Sequence, residues 1–452
     1  MGLSFKSPEH KRVTSRVTAM IDVVPVDTTN EETRTLFVNA FITNNRSDYI
    51  THLMAYHTKY LECFLKTQNH LMRADGPLPF AYRHYIAIMA AGRHKCSYLI
   101  QLQATEFLLQ SGNADWLKGL DYIPQKLRDL YEINKLLAHR PWLINKSHIE
   151  KLTKGPNNWS VSEVTQALII LSHFHALSGF IYGCGISCDF DADQGLTYLP
   201  ASKNYDDSCE NGCQSEEETE EEEDNSYECF EGGVEALLER MKKLSETQEE
   251  TTEEEMLKGF EKVESPNLEL STSTENLTAN KSNILRYVYE PDYTYQDFKR
   301  VNYQEVATFR AQDYSWEDHG FSLANRLYPE IGSLLDEKFR VAYNLTYNTM
   351  GNNKGVDTTA FRRAIWNYIH FMYGIRHDDY NYNEVTDLLE RDLKTYVKTV
   401  TCYPEQVSYQ DYKNVLKGFQ HSEKVHVNLM MLEARLQAEL LYSLRAVMRY
   451  MT

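Results

Sequence analysis

The chain has 452 residues with 65 acidic and 47 basic side chains, a formal charge of −18. That balance excludes a general nucleic-acid binder, which presents clustered Lys and Arg. Glycine at 20 and proline at 12 fall below the usual shares of about 7% and 5%, which excludes a turn-rich sandwich or barrel and predicts long helices. The length allows two or three domains of roughly 100–200 residues each.

Residues 1–36 are polar and without clear period, and read as a partly ordered tail. From Ser47 to Lys66 apolar residues recur at Ile50, Leu53, Met54, Leu61, Phe64 and Leu65, a helical period. Gly76 to Pro79 breaks the chain. Helical runs follow over Tyr82–Ala91, Cys96–Leu109 and 125–138. Val164–Gly183 is nearly long enough to span a bilayer, but it carries Gln166, His173 and His175, so a buried bundle helix is expected and no membrane insertion. Ser160 and Glu163 supply a capping box before it. Residues 37–200 thus predict one helical domain.

The charge is concentrated in the next stretch. Residues 206–275 hold 25 Asp/Glu and 5 Lys/Arg, a net of −20, which leaves about +2 for the other 382 residues. Low hydrophobicity with a like-charge block predicts a disordered acidic linker over 201–283. Within it, Leu237, Leu238, Met241 and Leu244 predict a short amphipathic helix over 234–244, expected to dock on the chain itself. Helical spacing returns over Phe321–Tyr347, Phe361–Tyr373, Glu384–Val400 and Ser422–Tyr450, so 284–452 predicts a second helical domain.

No secretory leader pattern opens the chain, so a reducing compartment and free thiols are expected for its 8 cysteines. Cys96 lies among Arg93, His94 and Lys95. Two readings stand: cations favouring a reactive thiolate, or an inert buried helix cysteine. Cys184/Cys188 and Cys209/Cys213 are spaced closely enough to consider zinc, but one pair ends an apolar helix and the other lies in the linker, so no metal site is assigned. His173 and His175 fall on different faces of one helix. The polar stretch from Thr346 to Thr359, the Asp378-Asp379 pair and His421–His426 read locally as a loop, a solvated turn and a helix start. No P-loop, GxGxxG, HExxH or GxSxG occurs.

Longer strings carry more. Arg83-His-Tyr-Ile-Ala-Ile-Met-Ala-Ala91 and Arg93-His-Lys-Cys-Ser-Tyr98 in the first half, then Thr308–Trp316, His319–Leu323, Leu335–Arg340, Tyr343–Thr349, Ala364–His370 and His421–Leu429 in the second, resemble the sestrin family. The resemblance covers about 37–200 and 284–452. It implies an all-α fold of two related helical domains similar to the alkylhydroperoxidase-D fold, joined by the acidic linker. It implies a stress-induced cytoplasmic regulator, with room for a nuclear pool, that restrains target of rapamycin signalling by binding the GATOR assembly and is released by free L-leucine. No cofactor is implied.

By position, the resemblance makes Glu423 the partner of the ligand ammonium and Arg362 that of its carboxylate. Thr346, Tyr347, Asn348, Thr349 and Thr358 would close over the ligand, with His426 in support and Phe361 and Leu416 against its side chain. A zwitterion taken from water needs both charges answered, and an Arg fork suits a carboxylate. About nine heavy atoms can reach micromolar affinity, roughly −8 kcal/mol, within the ceiling of about −1.5 kcal/mol per atom. Leu416 stands where vertebrate relatives have Trp, and Phe361 where they have Leu, so altered affinity is expected. Asp378 and Asp379 match the acids that contact GATOR. The alternative is an alkylhydroperoxide reductase using Cys96 with Tyr98 as relay. Against it, Gln103 stands where the family has His, and Gln cannot relay a proton as imidazole does.

Overall fold

The computed structural model describes residues 23–25, 28–44, 46, 48–186, 234–246, 253–262, 284–298, 309–345 and 349–452. The first half forms α1 (Glu31–Asn44), α2 (Tyr49–Met54), α3 (Thr58–Met72), α4 (Phe80–Arg93), α5 (Ser97–Leu109), α6 (Gln125–Arg128), α7 (Tyr131–His139), α8 (Lys146–Thr153) and α9 (Val161–Gly183). Two helices follow, α10 (Val234–Glu246) and α11 (Glu253–Lys262). The second half forms α12 (Phe321–Leu327), α13 (Ile331–Asn344), α14 (Thr359–Met372), α15 (Asn383–Leu388), α16 (Arg391–Cys402), α17 (Tyr409–Asn414) and α18 (His421–Met451). The chain is all-α, and among the described residues strand is confined to two-residue pieces: β1 (Phe309–Arg310) beside β4 (Ile375–Arg376), and β2 (Thr349–Met350) beside β3 (Asn353–Lys354).

Local chemistry accounts for the boundaries. Ser160 Oγ accepts from the Glu163 amide (3.1 Å) and Glu163 Oε2 from the Ser160 amide (2.7 Å), the expected box at the start of α9. The run expected over 321–347 is cut between α12 and α13 by Pro329, which cannot continue a helix, and Glu330 adopts φ 69°. The run expected over 47–66 is interrupted by a short 3-10 turn at Ala55–His57. Helix α1 begins inside the segment read as a tail. Its buried residues are Thr33, Phe37 and Ala40 only, too thin a stripe for the period to stand out. Helix α11 stands in a stretch expected to be disordered, so the linker holds a second helix beside the expected one; the rest of 201–283, the Cys188 end of one close cysteine pair and both cysteines of the other lie outside the described residues.

Helix α9 is long and apolar enough to cross a membrane, and its apolar window is wholly buried inside the protein. It packs along α18, whose 31 residues extend about 46 Å at 1.5 Å per residue. This pair joins the two halves around one continuous core. Buried polar pairs tie α9 and α18 to each other and to the helices around them. His175 of α9 meets Glu439 of α18 at 2.8 Å, and Glu433 takes the Tyr60 hydroxyl and, at 3.1 Å, Lys338. His173 faces Gln68 (2.8 Å). Both histidines are thus core residues on different faces of α9.

The expected linker helix is present as α10. It docks with Val234, Leu237 and Met241 buried, against α15 of the second half.

Candidate functional site

In the second half the candidate residues gather around the C-terminal end of α13. Helices end with unsatisfied carbonyls, and here two side chains from other helices take successive ones. Arg362, in the first turn of α14, donates to the Tyr343 carbonyl, and His426, in the second turn of α18, pairs with the Ala342 carbonyl (3.1 Å). Arg362 is 4% exposed. Its other partners are hydroxyls: Nε donates to Thr358 Oγ1 and Nη2 to Thr359 Oγ1, both at 3.1 Å. Among the described residues no carboxylate lies within 4.0 Å of this guanidinium. Burial pulls its pKa down, only partly offset by Tyr343 and Asp357. A buried cation answered by rotatable hydroxyls is poised for an anion.

Glu423 is 1% exposed. Its carboxylate accepts the Gly351 amide on both oxygens (3.1 and 3.0 Å), the Thr349 hydroxyl (3.3 Å) and the Gln420 amide (2.7 Å). The last contact is half of a capping box that starts α18. Gly351 bends at φ 64°, and a Cβ there would come 2.6 Å from the Gly418 carbonyl, so only glycine presents this amide. His426 is fully buried beside His57 (ring centroids 5.4 Å). Desolvation first, then His57, lowers its pKa to about 3 against the Ala342 bond. Phe361 is buried, with its ring 6.1 Å from Phe419. Leu416 is half-buried at φ 52°. The structure therefore brings together Thr349, Thr358, Phe361, Arg362, Glu423 and His426, with Leu416 in the segment leading into α18. Thr346, Tyr347 and Asn348 lie outside the described residues.

Asp378 and Asp379 differ. Residues Phe309↔Ile375 and Arg310↔Arg376 are Cα partners in the parallel β1–β4 pair, which sets two arginines side by side. Both reach Asp378: Arg310 Nε at 2.7 Å and Arg376 Nε at 2.5 Å. Burial pushes this carboxyl up, but the Arg310 and Arg376 bonds outweigh it and hold it low. Asp379 is exposed. The pair read as a solvated turn is one clamped acid and one free to meet solvent.

In the first half, Cys96 is a buried thiol outside any disulfide, 1% exposed, just before α5. The neighbouring cations reach elsewhere. Arg93 donates to the carbonyls of Tyr289, Glu290 and Tyr293, and Lys95 lies 3.9 Å from Glu405. Tyr98 is buried, and Gln103 Oε1 sits 2.8 Å from His84 Nδ1. A cavity of about 330 Å³ opens nearby, lined by Arg46, Arg73, His84, Gln103, Glu106 and Phe174 among others. Cys96 is not on its wall. Its charges close on themselves, since Glu106 takes both Arg46 and Arg73 (2.5 Å to the latter) and Arg46 also holds Asp48 (2.6 Å). This network and the Arg310–Asp378–Arg376 clamp were missed from sequence. Nothing but the folded register signals either.

Fold and geometry define the class first: an all-helical chain in which a buried arginine caps one helix end and a buried glutamate starts the neighbouring helix α18. Comparison with known proteins then gives the family. The model described as PA26 p53-induced protein (sestrin) matches residues 13–451. Sestrin-3 of Mus musculus is 50% identical over 446 residues, 95% of this chain and 90% of that protein. Sestrin-2 of Homo sapiens is 50% identical over 424 residues, covering 92% and 87%. The Sestrin homolog of Drosophila melanogaster is 46% identical over 460 residues, covering 90% and 93%. The chain belongs to the sestrin family.

Proposed function

We propose that this chain is a leucine-responsive regulator. Free L-leucine binds with its carboxylate on Arg362 and its ammonium on Glu423. Its side chain lies toward Phe361 and Leu416. Without leucine the chain binds the GATOR assembly, using the exposed Asp379 beside the Arg310–Asp378–Arg376 clamp, and so restrains target of rapamycin signalling from the cytoplasm. Leucine releases that partner.

The observation that carries this reading is the environment of Arg362: a buried guanidinium whose described partners are two hydroxyls and one carbonyl. A ligand carboxylate completes it at little rearrangement, because threonine hydroxyls rotate. Gly351 and Thr349 hold Glu423 in place to receive the opposite charge. The reductase alternative has less support, since Cys96 is buried and the Arg93 and Lys95 cations are engaged elsewhere.

A thermal-shift screen of the full chain against all free amino acids tests the reading. A rise in Tm selective for leucine is expected. No response to leucine, or an equal response to every amino acid, rejects it.

A further inference from the structure

Helix α10 lies far from Glu423 in sequence but against the Gly351 turn that holds it in space. Val234 Cγ2 stands 3.2 Å from the position a Cβ would take on Gly351 and 3.4 Å from that on Gly418. Gly351 is the residue whose amide grips Glu423, and its carbonyl accepts Gln420 Nε2 (3.1 Å). The turn is therefore clipped to the first turn of α18 on its inner side and covered by Val234 on its outer side. Further along α10, Leu237 and Met241 are buried, and Arg240 reaches Glu390 (3.1 Å), just past α15. Helix α15 in turn carries Glu384, which holds Arg363 (2.9 Å), the neighbour of Arg362.

We propose that α10 is a strap forming the outer wall of the Glu423 pocket, so that its docking and ligand binding reinforce each other. This rests on the leucine reading above. A ligand ammonium on Glu423 shares that carboxylate with the Gly351 amide, so whatever steadies the Gly351 turn favours the ligand. By linkage, the ligand must steady the strap by the same factor. Anything that lifts α10, such as a partner that takes its apolar face, weakens ligand binding without touching the pocket.

The test is calorimetric titration of the full-length chain with L-leucine, beside hydrogen exchange of the 234–246 amides. Leu237→Asp with Met241→Asp should weaken leucine about tenfold or more. Arg240→Glu should weaken it a few-fold, and adding Glu390→Arg to that variant should restore it. Should the double-Asp variant fail to fold, the Arg240 series decides the affinity arm. In the wild type, leucine should slow exchange over 234–246. Unchanged affinity across the folded variants, or unchanged exchange with leucine bound, overturns the strap. A wild-type chain that gives no heat with millimolar leucine overturns the pocket reading itself, and the strap with it.

Discussion

The two halves of the molecule treat buried charge in opposite ways. Around the cavity of the first half, Arg46 and Arg73 share Glu106, and Asp48 completes the set. Every charge has its opposite within the chain. At the end of α13, Arg362 is equally buried and holds only hydroxyls and a carbonyl among the described residues. Both places look polar and enclosed, but only one has a charge left for a ligand. An uncompensated buried cation costs free energy unless something arrives to pair with it. The contrast thus separates a structural network from the proposed binding site.

The sharpest way to break that comparison is to remove one arginine from each side. Arg46→Ala strips Glu106 and Asp48 of a buried partner and should cost about 3–5 kcal/mol of stability, read as a large fall in Cm. Arg362→Ala should leave stability nearly unchanged while leucine binding is lost by about 2–5 kcal/mol in titration. Equal stability losses would erase the distinction.

The acidic pair offers a second contrast. Asp378→Lys sets a third cation against Arg310 and Arg376 and should cost about 1–3 kcal/mol of stability. Asp379→Lys should leave Tm unchanged yet abolish capture of the GATOR assembly. Capture retained by Asp379→Lys would reject that face.

Leu416→Trp should tighten leucine by about 1–2 kcal/mol through added apolar contact. Calorimetry showing weaker binding would place the ligand side chain elsewhere.

Stability should also depend on pH. Burial and His57 hold folded His426 at about 3, whereas an unfolded imidazole titrates near 6.5, roughly its reference value. The unfolded chain therefore takes up the proton first. This group's stabilisation is complete above roughly pH 6.5 and falls by about 1.4 kcal/mol for each pH unit below it. Chemical denaturation between pH 7 and 5 should show the slope, and His426→Asn should reduce it by about 1.4 kcal/mol per pH unit. The smallest effect is expected at Cys96. Cys96→Ser should leave peroxide consumption unchanged, and a clear loss would restore the reductase reading.

Much of the helical scaffold was legible in the sequence because caps and periods are local signals. Ser160 with Glu163 marks the start of α9, and the apolar positions of α18 mark its buried face. Where the pattern is thin, as in α1 with Thr33, Phe37 and Ala40, it passed for tail. Continuous periods hid the breaks at Pro329 and at Ala55–His57. The candidate site was reached through family resemblance rather than periodicity. The reason is geometric, since Arg362 and His426 meet only by taking successive carbonyls at the end of α13. The clamp on Asp378 depends on pairing Arg310 with Arg376 across a two-residue parallel register, which no local signal encodes. The docking of α10 was expected from its apolar stripe, but its position over Gly351 was not.

The most direct test of the central claim is a calorimetric comparison of L-leucine with its amide, which keeps the ammonium and side chain but lacks the carboxylate that Arg362 is held to receive. One-to-one saturation by leucine with little or no binding of the amide is the predicted result. Equal binding of the two, or no heat from leucine at millimolar concentration, would contradict it.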